Sequence, residues 1–222
     1  MLPLNEKAFL HIKDLISQNY FSYGIIYSET KLAKELGISR TPLRDAIHRL
    51  AQEGYIDIIP SKGFCIHQLT TQDVNDTFQI RSALECYCTF HITQNYTDES
   101  AVALFDELEI LMGHMKEILD TTQDIEAFCE YDFSFHTKIV TFLHNAQFIT
   151  VFNTYMYRMR KLAALSLAHE GRMLDTYNEH RAILDAMKAG DLSTIYTVTM
   201  AHMNTPRGIN LDDLLDEHLT NE

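Results

Sequence analysis

The chain is poor in cysteine and in basic residues, and each deficit excludes whole classes of protein. Its 222 residues hold four cysteines, and Cys65, Cys86, Cys88 and Cys129 form no C-x-x-C pair and no regular framework. That excludes a disulfide-stapled scaffold and predicts idle or buried thiols in a reducing compartment. No run of about 18 apolar residues occurs, so no membrane-spanning helix is expected. Glu6, Lys7, His11 and Lys13 interrupt the first apolar stretch, which therefore reads as neither a signal peptide nor an anchor. A soluble protein of the cytoplasm is expected. G-x-G-x-x-G, the P-loop pattern and G-x-S-x-G are also absent. Lysine and arginine number 18 against 31 acids, a net charge of −13. Taken whole, that balance speaks against nucleic-acid binding, which needs cations for phosphate. The sum averages two unlike parts. Residues 1–70 carry eight basic and seven acidic side chains, and residues 71–222 carry ten and 24. The acidity belongs to the second part alone, and such asymmetry predicts two modules with different partners.

In the first module, Ala8, Phe9, Ile12, Leu15 and Ile16 recur at helical spacing and predict a helix over 5–19. Ser28 is placed to cap ETKLAKEL, and Ser39 to cap a helix over 40–53 with Pro42 in its first turn. Gly37 and Gly54 end these two helices. YIDII, a PSKG turn and FCIHQL then read as two strands of a hairpin. Two helices joined by a short turn, followed by a hairpin, predict a winged helix-turn-helix. On the 40–53 helix, Leu43, Ala46, Ile47 and Leu50 form one face, and Thr41, Arg44, Asp45 and His48 the other. Arg40 sits at the N-terminal end, beside Ser39, and Lys62 at the hairpin tip. Arginine reads guanine O6 and N7 as a bidentate pair, and a helix N-terminus favours phosphate. Ser39, Arg40, Thr41, Arg44, His48 and Lys62 are therefore the expected DNA-contacting residues, and Arg49, off the exposed arc, is read as structural or as a phosphate contact.

The segment SETKLAKELGISRTPLRDAIHRLAQEGYIDIIPSKGF closely resembles the DNA-binding domain of the GntR family of bacterial transcription regulators. The family's pattern is present as Glu29, Leu32, Ala33, Leu36, Gly37, Ser39, Arg40, Thr41, Pro42, Arg44, Arg49, Leu50, Glu53 and Gly54. The resemblance implies operator contact by Arg40 and Arg44. Many members have a further arginine where this chain has Thr30.

A capping-box-like start, Thr70-x-x-Asp73, opens the second module, and a boundary between 1–69 and 70–222 is expected there. The pattern beyond is helical throughout, with helices near 71–95, 98–120, 123–143, 146–169, 173–189 and 192–204. Pro206-Arg207-Gly208 is expected to end the last long helix, leaving 211–222 as a short acidic tail. The predicted fold is thus mostly α, a winged helix-turn-helix followed by an all-α bundle. Asp132 and His136 are four residues apart and share a helix face. His180 lies ten residues before the Gly190 turn and His202 twelve after it, so in an antiparallel hairpin the two imidazoles come level. If the helix of His136 packs on that hairpin, one carboxylate and three imidazoles converge, a donor set for a divalent ion: zinc foremost, with nickel or manganese as others. Spacing alone leaves open whether the three helices meet. Glu179 is adjacent to His180 but about 100° around the helix, so it is expected to point elsewhere.

This region resembles the FCD effector domain of the FadR subfamily of GntR regulators, through Asp132…His136, the run Glu179-His180-Arg181-Ala182-Ile183-Leu184-Asp185-Ala186-Met187-Lys188-Ala189-Gly190-Asp191, and His202. The resemblance implies that Asp132, His136, His180 and His202 hold a metal. Arg81-Ser82-Ala83-Leu84-Glu85 matches the family's first effector-domain helix. It implies that Arg81 faces the cavity and pairs with an acidic effector; a structural ion pair is the other reading. The expectation is a homodimeric, ligand-responsive regulator, most simply a repressor, that binds a two-fold operator and a small carboxylate metabolite. A structural metal or an empty site is the alternative. A metal-dependent enzyme is the remote one, for no H-E-x-x-H motif supplies a general base.

Overall fold

The computed structural model describes residues 2–220, with side chains through residue 216. The chain divides into two compact units, Met1–Leu69 and Thr70–Glu222.

The first unit holds α1 (Leu4–Ser17), α2 (Glu29–Glu35), α3 (Arg40–Gln52), β1 (Ile56–Ile59) and β2 (Gly63–Ile66). Phe9 and Ile12 of α1 are buried with Leu43, Ile47 and Leu50 of α3, the helical stripes the sequence spacing marks. The strands pair antiparallel, with Ile56 opposite Ile66 and Ile59 opposite Gly63. The segment before α2, which has no strand pattern of its own, adds a bridge to this hairpin. Tyr27 N–H donates to the Phe64 carbonyl at 2.7 Å, and Phe64 N–H donates back at 3.0 Å. Gly63 permits this close approach: its φ is +137°, and a Cβ there would lie 2.0 Å from the Tyr27 carbonyl oxygen. Ser28 and Ser39 occupy the N-cap positions of α2 and α3, but neither side chain makes the capping hydrogen bond. The expectation that the two hydroxyls cap is corrected on that point.

The second unit, among the described residues, is built from α4 (Thr71–Gln94), α5 (Glu99–Asp120), α6 (Ile125–Thr141), α7 (Ala146–Leu167), α8 (Arg172–Lys188) and α9 (Ile195–Thr220). The Thr70–Asp73 capping box forms: Asp73 N–H donates to Thr70 Oγ1 at 3.1 Å, and Thr70 N–H donates to Asp73 Oδ2 at 2.9 Å. Asp124 and Asn145 cap α6 and α7 through their side-chain oxygens. The core is an apolar cluster that includes Leu108, Met112, Phe128, Phe135, Ile139, Ile183 and Met187. The α8–α9 connection is tight, with Gly190 at φ +64° and packed so closely on the Tyr96 ring that a Cβ would sit 2.6 Å from it. None of the described helices is long and apolar enough to cross a membrane.

One expectation fails here. Pro206 does not end the last helix; α9 runs through it to Thr220. A proline inside a helix removes one backbone donor and crowds the preceding turn. Tertiary contacts offset that loss. Asn210 is buried, and its amide donates to the Pro206 carbonyl at 2.7 Å and to the Leu162 carbonyl of α7 at 3.1 Å. Arg207 donates to Asn75 Oδ1 of α4 at 2.7 Å and 3.1 Å. The acidic stretch from 211 is therefore helix in its described part, and residues 221 and 222 lie outside the described residues.

Candidate metal centre and nucleic-acid interface

In the first unit the apolar stripe of α3 sets which residues face outward. Ser39, Arg40, Thr41, Arg44, His48 and Lys62 are all exposed. Arg40 and Arg44 stand on the first two turns of α3, where the helix N-terminus adds partial positive charge. Arg49 is engaged otherwise. Its guanidinium donates to Glu6 at 2.7 Å and to Glu53 at 2.9 Å, and lies 3.7 Å from the centre of the Phe9 ring. It ties α1 to α3.

In the second unit three helices meet at one buried point. Asp132 and His136 project from successive turns of α6, His180 from the middle of α8, and His202 from the first half of α9. His136 Nε2 lies 3.0 Å from His180 Nε2 and 3.1 Å from His202 Nε2. Asp132 Oδ1 lies 3.4 Å from His180 Nε2 and 3.9 Å from His136 Nε2. All four residues are buried. The three imidazoles offer ligand atoms within 4.8 Å of one another. For ligand bonds of 2.0–2.1 Å, neighbouring nitrogens fall roughly 2.9 Å apart at right angles and roughly 3.3 Å apart in a tetrahedron. The two distances from His136 Nε2, 3.0 Å and 3.1 Å, lie between these, and Asp132 Oδ1 stands somewhat farther off.

Behind the imidazoles lies a layer of carboxylates and guanidiniums. Glu85 Oε2 is 2.5 Å from His136 Nδ1, and its other oxygen accepts from Arg81 Nε at 2.7 Å. Glu179 Oε2 is 2.8 Å from His202 Nδ1, and Arg172 grips Glu179 with bonds of 2.9 Å and 2.7 Å. A carboxylate accepts and does not donate, so Nδ1 of both rings carries the proton. Burial holds all three imidazoles well below the ordinary histidine range, helped by the positive charge of Arg81 and, for His180 and His202, by the neighbouring rings. A neutral ring protonated at Nδ1 presents a bare lone pair at Nε2. Two such lone pairs, on His136 and His202, face each other at 3.1 Å. They repel unless a cation lies between them. The donor set therefore fits a divalent ion. His180 Nδ1 is buried without a hydrogen-bond partner, and its ring stacks on Phe135 at 4.3 Å. Burial also pushes the Asp132 carboxyl up to about 6, against the pull of Arg81.

Beside the imidazoles is a small, partly open pocket whose lining includes Arg81, Cys129, Asp132, His136, Met159 and Arg160. Its free volume, ≈ 10 Å³, is about that of one water-sized sphere. Arg81 forms the structural ion pair with Glu85 and also borders the pocket. Arg160 pairs with Glu130 and lies 4.2 Å over the Phe133 ring. The four thiols are unpaired in disulfides, and burial pushes those of Cys88 and Cys129 up to about 12.

Sequence reasoning missed Glu85, Glu179, Arg172 and Arg160. Glu179 does not point elsewhere as expected: its Oε2 lies 2.8 Å from His202 Nδ1, so it belongs to the site. Its adjacency to His180 in the matched run was the available signal. Glu85 stood in the run that contains Arg81. Nothing in a single sequence marked Arg160. The two carboxylates behind the imidazoles, Glu85 and Glu179, are each held by an arginine and a ring N–H, whereas Asp132 lies on the Nε2 side.

Residues 76–205 match the FCD domain family, and residues 4–66 match the gntR family of bacterial regulatory proteins. An uncharacterized HTH-type transcriptional regulator of Bacillus subtilis, YdhC, is 28% identical over 91% of this chain and 88% of its own length. A probable D-xylose utilization operon transcriptional repressor of Paenarthrobacter nicotinovorans is 28% identical over 79% of this chain and 75% of its own. Among solved structures, E. coli McbR/YncC superposes over 98% of this chain and 100% of its own with a TM-score of 0.69 at 20% identity, which supports the fold. The chain belongs to the GntR family of DNA-binding transcription regulators, not to an enzyme family, and carries an FCD domain.

Proposed function

We propose that this regulator is a repressor whose helical unit binds a divalent ion and a small organic acid, and whose winged unit binds operator DNA in response. The convergence of three imidazole Nε2 atoms, two of them backed by carboxylates, carries the reading. Asp132, His136, His180 and His202 hold the ion, with zinc first among the candidates and nickel or manganese next. The ion supplies a fixed positive charge and open coordination positions at the pocket wall. Arg81 meets the acid's carboxylate. Carboxylate effectors exceed the free volume of the pocket, so Met159 and Arg160 of α7 move to admit one. That movement is the differential contact through which a ligand shifts a regulator between DNA-competent and incompetent arrangements.

Residues 1–69 form the DNA-binding unit. Ser39, Arg40, Thr41, Arg44 and His48 meet the major groove, and Lys62 on the wing meets backbone or minor groove. The Ser39 hydroxyl, not engaged in a cap, is available to a phosphate. Residues 70–222 form the effector-binding and dimerisation unit. The dimer contact is assigned to the outer groove of α4 and α9, lined by Gln79, Ala83, Cys86, Tyr196, Met200 and Asn204 among others, with no acidic residue in its lining. A symmetric contact sets each face against its own copy, so a strongly acidic unit associates where acids are missing. Such a regulator meets its operator in the cytoplasm.

The test uses an operator selected from random duplexes with the purified protein. Binding is titrated with metal-loaded and metal-stripped protein, each with and without a panel of small carboxylates. An acid that changes operator affinity only in the loaded protein supports the reading. Equal responses with and without metal leave a structural ion as the better account.

A further inference from the structure

The buried chain Arg81–Glu85–His136 runs from the wall of the pocket to a metal-binding nitrogen. We infer that Glu85 is a positioning residue that couples acid binding at Arg81 to ion binding at His136, so that each strengthens the other even where acid and ion do not touch. The inference rests on the proposed metal and acid site, and it concerns how that site is regulated.

Glu85 divides its two oxygens. Oε1 accepts from Arg81 Nε at 2.7 Å, and Oε2 from His136 Nδ1 at 2.5 Å. Neither Glu85 nor His136 is more than 1% exposed, so bulk solvent screens their contact little. Arg81 borders the pocket and has two further guanidinium nitrogens with which to meet an anion. An incoming carboxylate draws on the same positive charge that now stabilises Glu85. The negative field of Glu85 at the His136 N–H then rises, and the lone pair on His136 Nε2 becomes a stronger donor. Outer carboxylates tune metal affinity in this way, and their loss typically lowers it 10–100-fold. Coupling between two binding events is reciprocal, so the ion raises acid affinity by the same factor.

Glu179 supplies an internal contrast. It backs His202 as Glu85 backs His136, but its guanidinium partner is Arg172, which does not line the pocket. Glu179 therefore positions a ligand without sensing the acid.

The experiment measures zinc affinity of the full-length protein by competition with a chromophoric chelator, with and without acetate, a carboxylate small enough for a modestly opened pocket. Thermal melts of the metal-free variants check folding. In the unsubstituted protein acetate should raise zinc affinity severalfold. Glu85→Gln keeps an acceptor for the ring N–H but removes the charge. It should lower zinc affinity about tenfold or more and abolish most of the acetate effect. Glu179→Gln should lower zinc affinity comparably and keep the acetate effect. Cobalt(II) in place of zinc should show visible bands that shift with acetate in the parent protein and in Glu179→Gln, but not in Glu85→Gln. A full acetate effect in Glu85→Gln overturns the relay, for direct contact between acid and ion then explains the coupling. Zinc uptake without any acetate effect in the parent also overturns it. No zinc uptake by the parent removes the metal site itself, and the relay with it.

Discussion

The guanidinium carbon of Arg49 lies over Phe9, 3.7 Å from the ring centre, while its nitrogens reach Glu6 and Glu53. Arg44, one turn and a half earlier on α3, stands exposed. Two arginines on one helix thus differ in surroundings, and the proposed role in reading DNA falls to Arg44. Arg44→Ala is expected to lower specific operator affinity by roughly 1–3 kcal/mol, about 5- to 160-fold, with the fold unchanged. Arg49→Ala should instead destabilise the first unit by about 1 kcal/mol through loss of the ring contact and exposed ion pairs. Gel-shift titration and urea unfolding of both variants separate the effects. Intact specific binding by Arg44→Ala would remove α3 as the reading helix.

Purified protein is expected to carry about one divalent ion per chain. His180→Ala should lose most of it. Added zinc at a hundredfold excess over its dissociation constant should stabilise the parent by about 2.7 kcal/mol and leave His180→Ala nearly unmoved. Elemental analysis with thermal melts reads both, and an unchanged ion content in the variant would place the metal elsewhere.

Metal-free protein should lose stability on acidification. Burial keeps His136, His180 and His202 uncharged, well below their ordinary range. Below about pH 6.5 the unfolded histidines take up protons that the folded ones refuse, so their contribution is present above that pH and lost below it. Asp132, pushed up to about 6 by burial, acts oppositely: folding favours its protonated form, which adds stability as pH falls. Three imidazoles outweigh one carboxyl, so unfolding takes up protons on balance and stability falls as pH drops below about 6.5. Urea titrations of stripped protein at pH 7.5, 6.5 and 5.5 measure the slope. A rise in stability toward pH 5.5 would contradict three buried neutral rings.

Arg81→Met should weaken the response to acid without weakening operator binding by unliganded protein. Because Arg81 also pairs with Glu85, its replacement leaves a buried carboxylate with one partner fewer, so some thermal destabilisation accompanies the change. Operator affinity with and without acid distinguishes the roles. Equal losses in both conditions would mark Arg81 as a residue of the fold.

Tyr196, 60% exposed beside the acid-free groove of α4 and α9, tests the dimer contact. In the proposed symmetric contact, Tyr196→Glu adds a carboxylate from each copy to an acid-free face. Sedimentation should show monomers at concentrations where the parent is dimeric, with weaker operator binding as the consequence. Unaltered dimers would move the contact to another face.

Much of this protein is local and therefore legible in its sequence. Helical stripes such as Leu43, Ala46, Ile47 and Leu50 declare a buried face through spacing alone, and the opposite face of α3 follows from the same arithmetic. Thr70 and Asp73 cap α4 because their side chains reach backbone groups only three residues away. The one-turn interval between Asp132 and His136 and the hairpin register of His180 and His202 were readable for the same reason. Their meeting was decided by packing, for α6 comes to the α8–α9 hairpin only when the apolar core around Phe128, Phe135, Ile183 and Met187 closes. Glu85 reaches His136 across 51 residues, and Asn210 reaches Leu162 across 48. The first contact sets which nitrogen of the ring is bare, and the second accompanies a proline that local rules treat as a helix end. Sequence determined where helices form and which faces they bury, because those are short-range properties of the chain. Only tertiary structure decided which buried polar groups become partners, because a desolvated charge must find its complement wherever the packed core places it.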